Sequence, residues 1–216
     1  LRVNNNRLSG QIPEVIISHP NWDSWNPDKY IIPQRKGYVL TTYDPESLSD
    51  DGKVVKLWEH TEGAGISLII TGDGFTARDI EDGSFESLMQ ATSKAIFEIE
   101  PYKSFKHLFD LYYVVAISNH SNFNGSTTFG TEFGEGTLIE GDDEKVFEYA
   151  KKTKIDISNA TIMVLVKSTR YAGTCYMYSI DDAMGDWMIG PTISYIPLCD
   201  TPHRFEGVLY HEALGH

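Results

Sequence analysis

The sequence predicts a layered α/β domain with a mostly parallel sheet. Three observations carry that expectation. Short continuous apolar runs, "ISLIITG" over 66–72, "LYYVVAI" over 111–117 and "TIMVLVK" over 161–167, have the length and branched-aliphatic content of buried strands. Segments with helical periodicity stand between them, and strand alternating with helix implies parallel pairing. The joining loops are longer than a compact domain tolerates unless they are used for something.

Taken in order, residues 1–16 stand apart. "LRVNNNRLSGQIPEVI" sets Leu1, Asn6, Leu8, Ile12 and Pro13 at leucine-rich-repeat spacing. One repeat cannot bury its own face, so this stretch is expected to be the end of a solenoid. Residues 17–64 read as a linker and lead-in segment, rich first in Pro, Asn and Trp and then in polar turn formers. Trp22 and Trp25 are expected to pack that segment against a domain. The third region, 65–216, begins with the first buried strand. "SFESLMQATSKAIFEI" over 84–99 then places Phe85, Leu88, Met89, Thr92, Ile96 and Ile99 on one helical face. Ser84 is its expected N-cap and Pro101 its stop.

After the second strand comes a loop over 118–141 rich in Asn, Ser, Thr and Gly. "DEKVFEYAKKT" over 143–153 predicts a helix and 161–167 a strand. Another loop is expected over 168–191, then a short strand, "TISYI", over 192–196. "DTPHRFEGVLYHEALGH" over 200–216 predicts the last helix, with Thr201 as N-cap and Pro202 at its first position.

Composition removes some function classes. With 31 acidic and 18 basic residues the formal charge is −13, and such a surface repels phosphate backbones, so nucleic acid is not an expected partner. No apolar run reaches the ~18 residues that a membrane span needs, so no transmembrane segment is expected. The chain opens and closes inside motifs and shows neither an initiator Met nor a signal peptide, so it reads as part of a longer protein. Cys175 and Cys199 leave one disulfide or none open.

The chemistry is expected in "HEALGH", 211–216. Two histidines flank a glutamate, but five positions apart rather than four. At ~100° per residue, five positions leave the rings ~140° apart on a regular helix. The interval therefore predicts a π-bulge, which brings such a pair back to one side, with Gly215 easing the distortion. Glu212, beside a metal-activated water, has the chemistry of a general base. The bland alternative is a solvated glutamate and a histidine complementing a helix dipole.

Other segments bear on that choice. "IITGDGFTARDI" (69–80), "FEIEPYKSFKHLFDLYYVVAIS" (97–118), "STTFGTEF" (126–133) and "VLVKSTRYAGTCYMYS" (164–179) precede "VLYHEALGH" in order. Over 53–216 this succession resembles the IgA-peptidase family of bacterial metallopeptidases. The resemblance implies a secreted or cell-surface zinc-dependent endopeptidase with a zincin-like catalytic domain, acting on protein or peptide substrates. It implies His211 and His216 as metal ligands and Glu212 as the general base. The family's further ligand looks to come from beyond His216, so the 216-residue form is expected to hold zinc weakly or not at all and to be inactive, and the intact protein to be active. His203 is the first upstream candidate for a third ligand.

Two other readings compete. In one, the chain is a surface binding protein with a catalytically inactive peptidase-like domain, and the leucine-rich repeats meet the partner. In the other, "GDGFT" over 72–76 holds a nucleotide phosphate. That motif lacks the full glycine spacing and a following Lys, so a tight turn braced by Asp73 is the better expectation. Asp181, Asp182 and Asp186 read as a solvated acidic loop rather than a calcium site. Tyr171, Tyr176, Tyr178 and Tyr210 are candidate oxyanion donors among which the sequence does not choose.

Overall fold

The computed structural model describes residues 47–121, 123, 127–181 and 187–215. The chain divides into two units after residue 44, and all described residues belong to the second, Pro45–His216. The leucine-rich stretch 1–16, Trp22, Trp25, Asp182, Asp186 and His216 lie outside the described residues.

The described strands are β1 (Val54–Trp58), β2 (Ile66–Asp73), β3 (Phe109–Val114), β4 (Glu132–Phe133), β5 (Ile139–Glu140), β6 (Thr161–Val166), β7 (Thr174–Asp181) and β8 (Trp187–Pro197). The described α-helices are α1 (Ala77–Glu81), α2 (Ser84–Ile96), α3 (Asp143–Lys151) and α4 (Pro202–Glu212). Six strands form one sheet in the order β1-β3-β2-β6-β8-β7, and β4 pairs with β5 in a small hairpin. The four central strands β3, β2, β6 and β8 run parallel, while both edges, β1 and β7, run antiparallel to their neighbours. The expected α/β architecture with a mostly parallel sheet is therefore present.

Strand alternation divides the core into two layers. Leu68, Ile70, Met163, Leu165 and Ile196 face one side, where Phe85, Met89 and Ile96 of α2 and Val208 and Leu209 of α4 cover them. Ile69, Ile162, Val164, Ile193 and Tyr195 face the other, against Val146, Tyr149 and Ala150 of α3 together with Phe129 and Ile139. Because β2 and β6 are covered on both faces, they read as unbroken apolar runs.

Several local expectations are corrected. Ser84 is the first residue of α2 and not its N-cap; Gly83, with φ 74°, occupies the cap. Glycine takes that left-handed torsion without the steric cost a side chain would carry. The loop expected over 168–191 contains β7 and the start of β8, paired antiparallel from Thr174↔Tyr195 to Asp181↔Trp187. Tyr176 and Tyr178 pack towards the α3 layer while Met177 is exposed, a period-two pattern that the polar composition of the segment hides. The segment 17–64 contributes β1, which pairs with β3 through Val54↔Val114 and Val55↔Tyr113. At α4 the expected start holds: Thr201 accepts a hydrogen bond from the Arg204 N–H, and Pro202 opens the helix.

Candidate active site

The site begins at the last turn of α4. The helix ends at Glu212, with Ala213 as a right-handed C-cap whose N–H donates to Leu209 O. The helix stops at Glu212, short of the expected end at residue 216, and the π-bulge expected to join His211 to His216 takes in His216, which lies outside the described residues. Leu214 and Gly215 leave the helix. A Cβ on Gly215 would lie 2.9 Å from His211 O and 3.1 Å from Tyr210 O, so the glycine lets the chain turn close against the terminal carbonyls. Tyr102 donates from its hydroxyl to Leu214 O at 2.9 Å and anchors this exit.

His211 is exposed on that last turn and Glu212 is half-buried beside it. Ser194, fully buried on β8, donates its hydroxyl to the Glu212 carbonyl at 2.8 Å. That bond satisfies one of the carbonyls a helix end leaves unpaired, and it fixes the backbone that carries Glu212. Across the strand pair, Ser194 lies opposite Cys175. Burial pushes the Cys175 thiol above its ordinary pKa; the Ser194 hydrogen bond opposes this and the Glu212 charge adds to it. Cys175 and Cys199 are both free thiols.

Both long loops reach this corner. Asp73, at the end of β2 and fully buried, accepts from Thr127 Oγ1 at 2.7 Å, Phe129 N at 3.0 Å and Thr131 N at 3.2 Å. The Ser118 hydroxyl in turn accepts from the Gly74 and Thr128 N–H groups. Asp73 thus braces the loop that leads to the β4–β5 hairpin. The hairpin is stitched to the residues entering β7: Arg170 donates to Gly134 O and Gly136 O, both at 3.0 Å, and Gly173 N donates to Thr137 O at 3.2 Å. Ile139 N donates to Thr174 Oγ1 at 2.8 Å and Tyr176 donates to Ile139 O at 2.9 Å.

Other nominated residues have structural employment. A Cβ on Gly74 would meet the Phe123 ring at 2.4 Å, so the "GDGFT" turn is packed with an aromatic ring where a phosphate cradle would be open. The turn's helix, α1, is closed by a capping box between Thr76 and Asp79. Tyr176, Tyr178 and Tyr210 donate to Ile139 O, the Asp143 carboxylate and Ala95 O, and exposed Tyr171 lies beside the Arg204 guanidinium. His203 sits eight residues before His211 on one helix, about 12 Å along its axis, too far to share an ion with it.

The IgA Peptidase M64 family model matches residues 55–186. The chain belongs to the IgA peptidase M64 family. Among curated proteins, none matches it. Family membership makes this a peptidase domain, a hydrolase whose substrates are proteins or peptides. The matched residues run from β1 to the end of β7 and include Gly173; β8 and the His-Glu motif lie after the match. Sequence reasoning missed Ser194 and Gly173. Ser194 sits in an apolar strand where a hydroxyl needs a partner, and that was its available signal.

Proposed function

We propose that this M64-family chain is the catalytic part of a zinc-dependent endopeptidase that works outside the cell, with His211 and His216 as metal ligands and Glu212 as general base. The observation that most supports this is the seating of Glu212. Its carbonyl is held by Ser194 and its carboxylate rests against the Gly173 backbone, where α4, β7 and the β4–β5 hairpin meet. The imidazole of His211 on the same turn is an ordinary zinc donor in its neutral form, although among the described residues no three His, Cys, Asp or Glu side chains gather as a metal site. When bound, such an ion acidifies water and polarises a substrate carbonyl. Glu212's own part is to accept a proton at a carboxylate oxygen and to pass it to the departing amine.

The fold also suggests how a peptide is presented. β7 is an edge strand whose only strand partner among the described residues is β8, and an extended peptide can add to such an edge through main-chain hydrogen bonds. Secretion rests on the family resemblance, and recognition of a surface partner rests on the repeat motif over 1–16. The test is Glu212→Gln in the full-length protein. Turnover of a peptide substrate is expected to fall by about 10²- to 10⁴-fold while bound zinc, measured after dialysis, is unchanged. A variant that keeps most of its turnover would exclude Glu212 as the base.

A further inference from the structure

Gly173, the residue before β7, touches both parts that meet at the site. Its N–H holds Thr137 of the hairpin at 3.2 Å. On its other side a side chain has no room: a Cβ would lie 2.7 Å from Glu212 Oε1, 2.8 Å from Glu212 Cγ and 2.8 Å from Val208 Cγ1. Its backbone is outside the left-handed region, so glycine is required here for space and not for torsion. Val208 is buried in the core beneath α4 and has little freedom to yield. The flexible neighbour is Glu212, whose carboxylate would withdraw by about 0.7 Å to regain an ordinary 3.4 Å contact.

We propose that Gly173 is a positioning residue for the peptidase reaction: its missing side chain is what seats the Glu212 carboxylate beside the start of β7. This rests on Glu212 being the general base. A base must lie within hydrogen-bond reach of the proton it takes, and misplacement by ~1 Å can cost ~10²-fold in rate. The same residue fixes the hairpin through its N–H, so the wall of the site and the base share one anchor.

The test compares Gly173→Ala, Glu212→Gln and the double variant in the full-length protein. Gly207→Ala is the control, because a Cβ at that α4 position meets nothing within 4 Å. Gly173→Ala is expected to lower kcat by about 10- to 100-fold with KM and zinc content little changed, and to cost nothing further in the Glu212→Gln background. The control is expected to keep wild-type kcat. A second readout does not need activity. Cys175 feels the Glu212 charge, so Gly173→Ala should shift the pH midpoint of Cys175 alkylation, followed by mass spectrometry, and that shift should vanish when Glu212 is Gln.

If the added methyl unfolds the domain through Val208, the Gly173→Ala/Val208→Ala pair removes that clash and leaves the one with Glu212; the same kinetic loss is required of it. Wild-type kcat in Gly173→Ala, an equal loss in both backgrounds, or a Cys175 shift that persists in Glu212→Gln overturns the role of Gly173. An active Glu212→Gln overturns the base assignment and this proposal with it. An inactive Glu212→Gln beside an active Gly173→Ala overturns Gly173 alone.

Discussion

Asp73 is a carboxylate without exposed surface that is met by donors from a single loop, Ser118, Thr127, Phe129 and Thr131. Removing it strands two buried N–H groups, and each such loss carries a desolvation penalty. Asp73→Ala is therefore expected to cost about 3 kcal/mol, read as a lower urea midpoint, with amide exchange rising first around 127–131. Asp110 makes a different case. Burial alone would raise its pKa, but the His60 hydrogen bonds and the Lys56 charge outweigh this and hold it below the ordinary carboxylate value. A carboxyl depressed in the folded state binds fewer protons there than in the unfolded chain. Its stabilisation is complete above about pH 4 and is lost as pH falls through the folded value. Asp110→Asn should accordingly lower the urea midpoint at pH 7 and flatten its decline on acidification. An unchanged acid limb would show that other carboxylates govern it. A carboxylate after an apolar run is visible in sequence as a brace; which loop it braces is set by a turn that composition does not specify.

At the scale of elements, legibility followed burial. β2 and β6 are covered on both faces, so their sequences are unbroken apolar runs and their limits were readable. β7 has one layer beneath it and one open face, so its Tyr and Met residues alternate within a polar loop composition and the strand went unseen. β1 is short and interrupted by Lys56, which reaches Glu59 and Asp110. α4 was readable at its start, where Thr201 and Pro202 are local signals, and misread at its end, where the helix stops at Glu212 and Gly215 closes against the His211 and Tyr210 carbonyls. The contact of Gly173 with Glu212 has no sequence signal at all, because what matters is an atom that is missing. The same helix gives a paired prediction. Gly207 is exposed in the interior of α4 with open space at its Cβ, so Gly207→Ala is expected to stabilise the domain by about 0.5–1 kcal/mol. Thr201→Ala removes the side-chain cap and should cost about 1 kcal/mol. Thermal melts of the two variants should move in opposite directions, and a Gly207→Ala melt at or below the parent's would mean that α4 is under strain of another origin.

For the whole molecule, the question is where the folding unit of the peptidase begins. Among the described residues every strand of the six-stranded sheet lies at or after Val54. Among the described residues both layers of the core are likewise built from that span, from Val54 and Val55 onward. The chain's division after residue 44 agrees with that placement. A compact unit with a hydrophobic core of its own can fold without a neighbouring unit. Deleting residues 1–44 is therefore expected to change the stability of the remaining domain by less than about 1 kcal/mol. Near-UV circular dichroism should be retained, since Trp58 and the ring pairs Phe75–Phe85 and Tyr176–Tyr195 all lie within the retained span. Urea unfolding of the two forms, followed by that signal, is the measurement. A collapse of the aromatic signal on deletion would mean that the sheet domain draws part of its stability from residues 1–44, and that the leucine-rich stretch is an integral layer of the peptidase and not the edge of a separate solenoid.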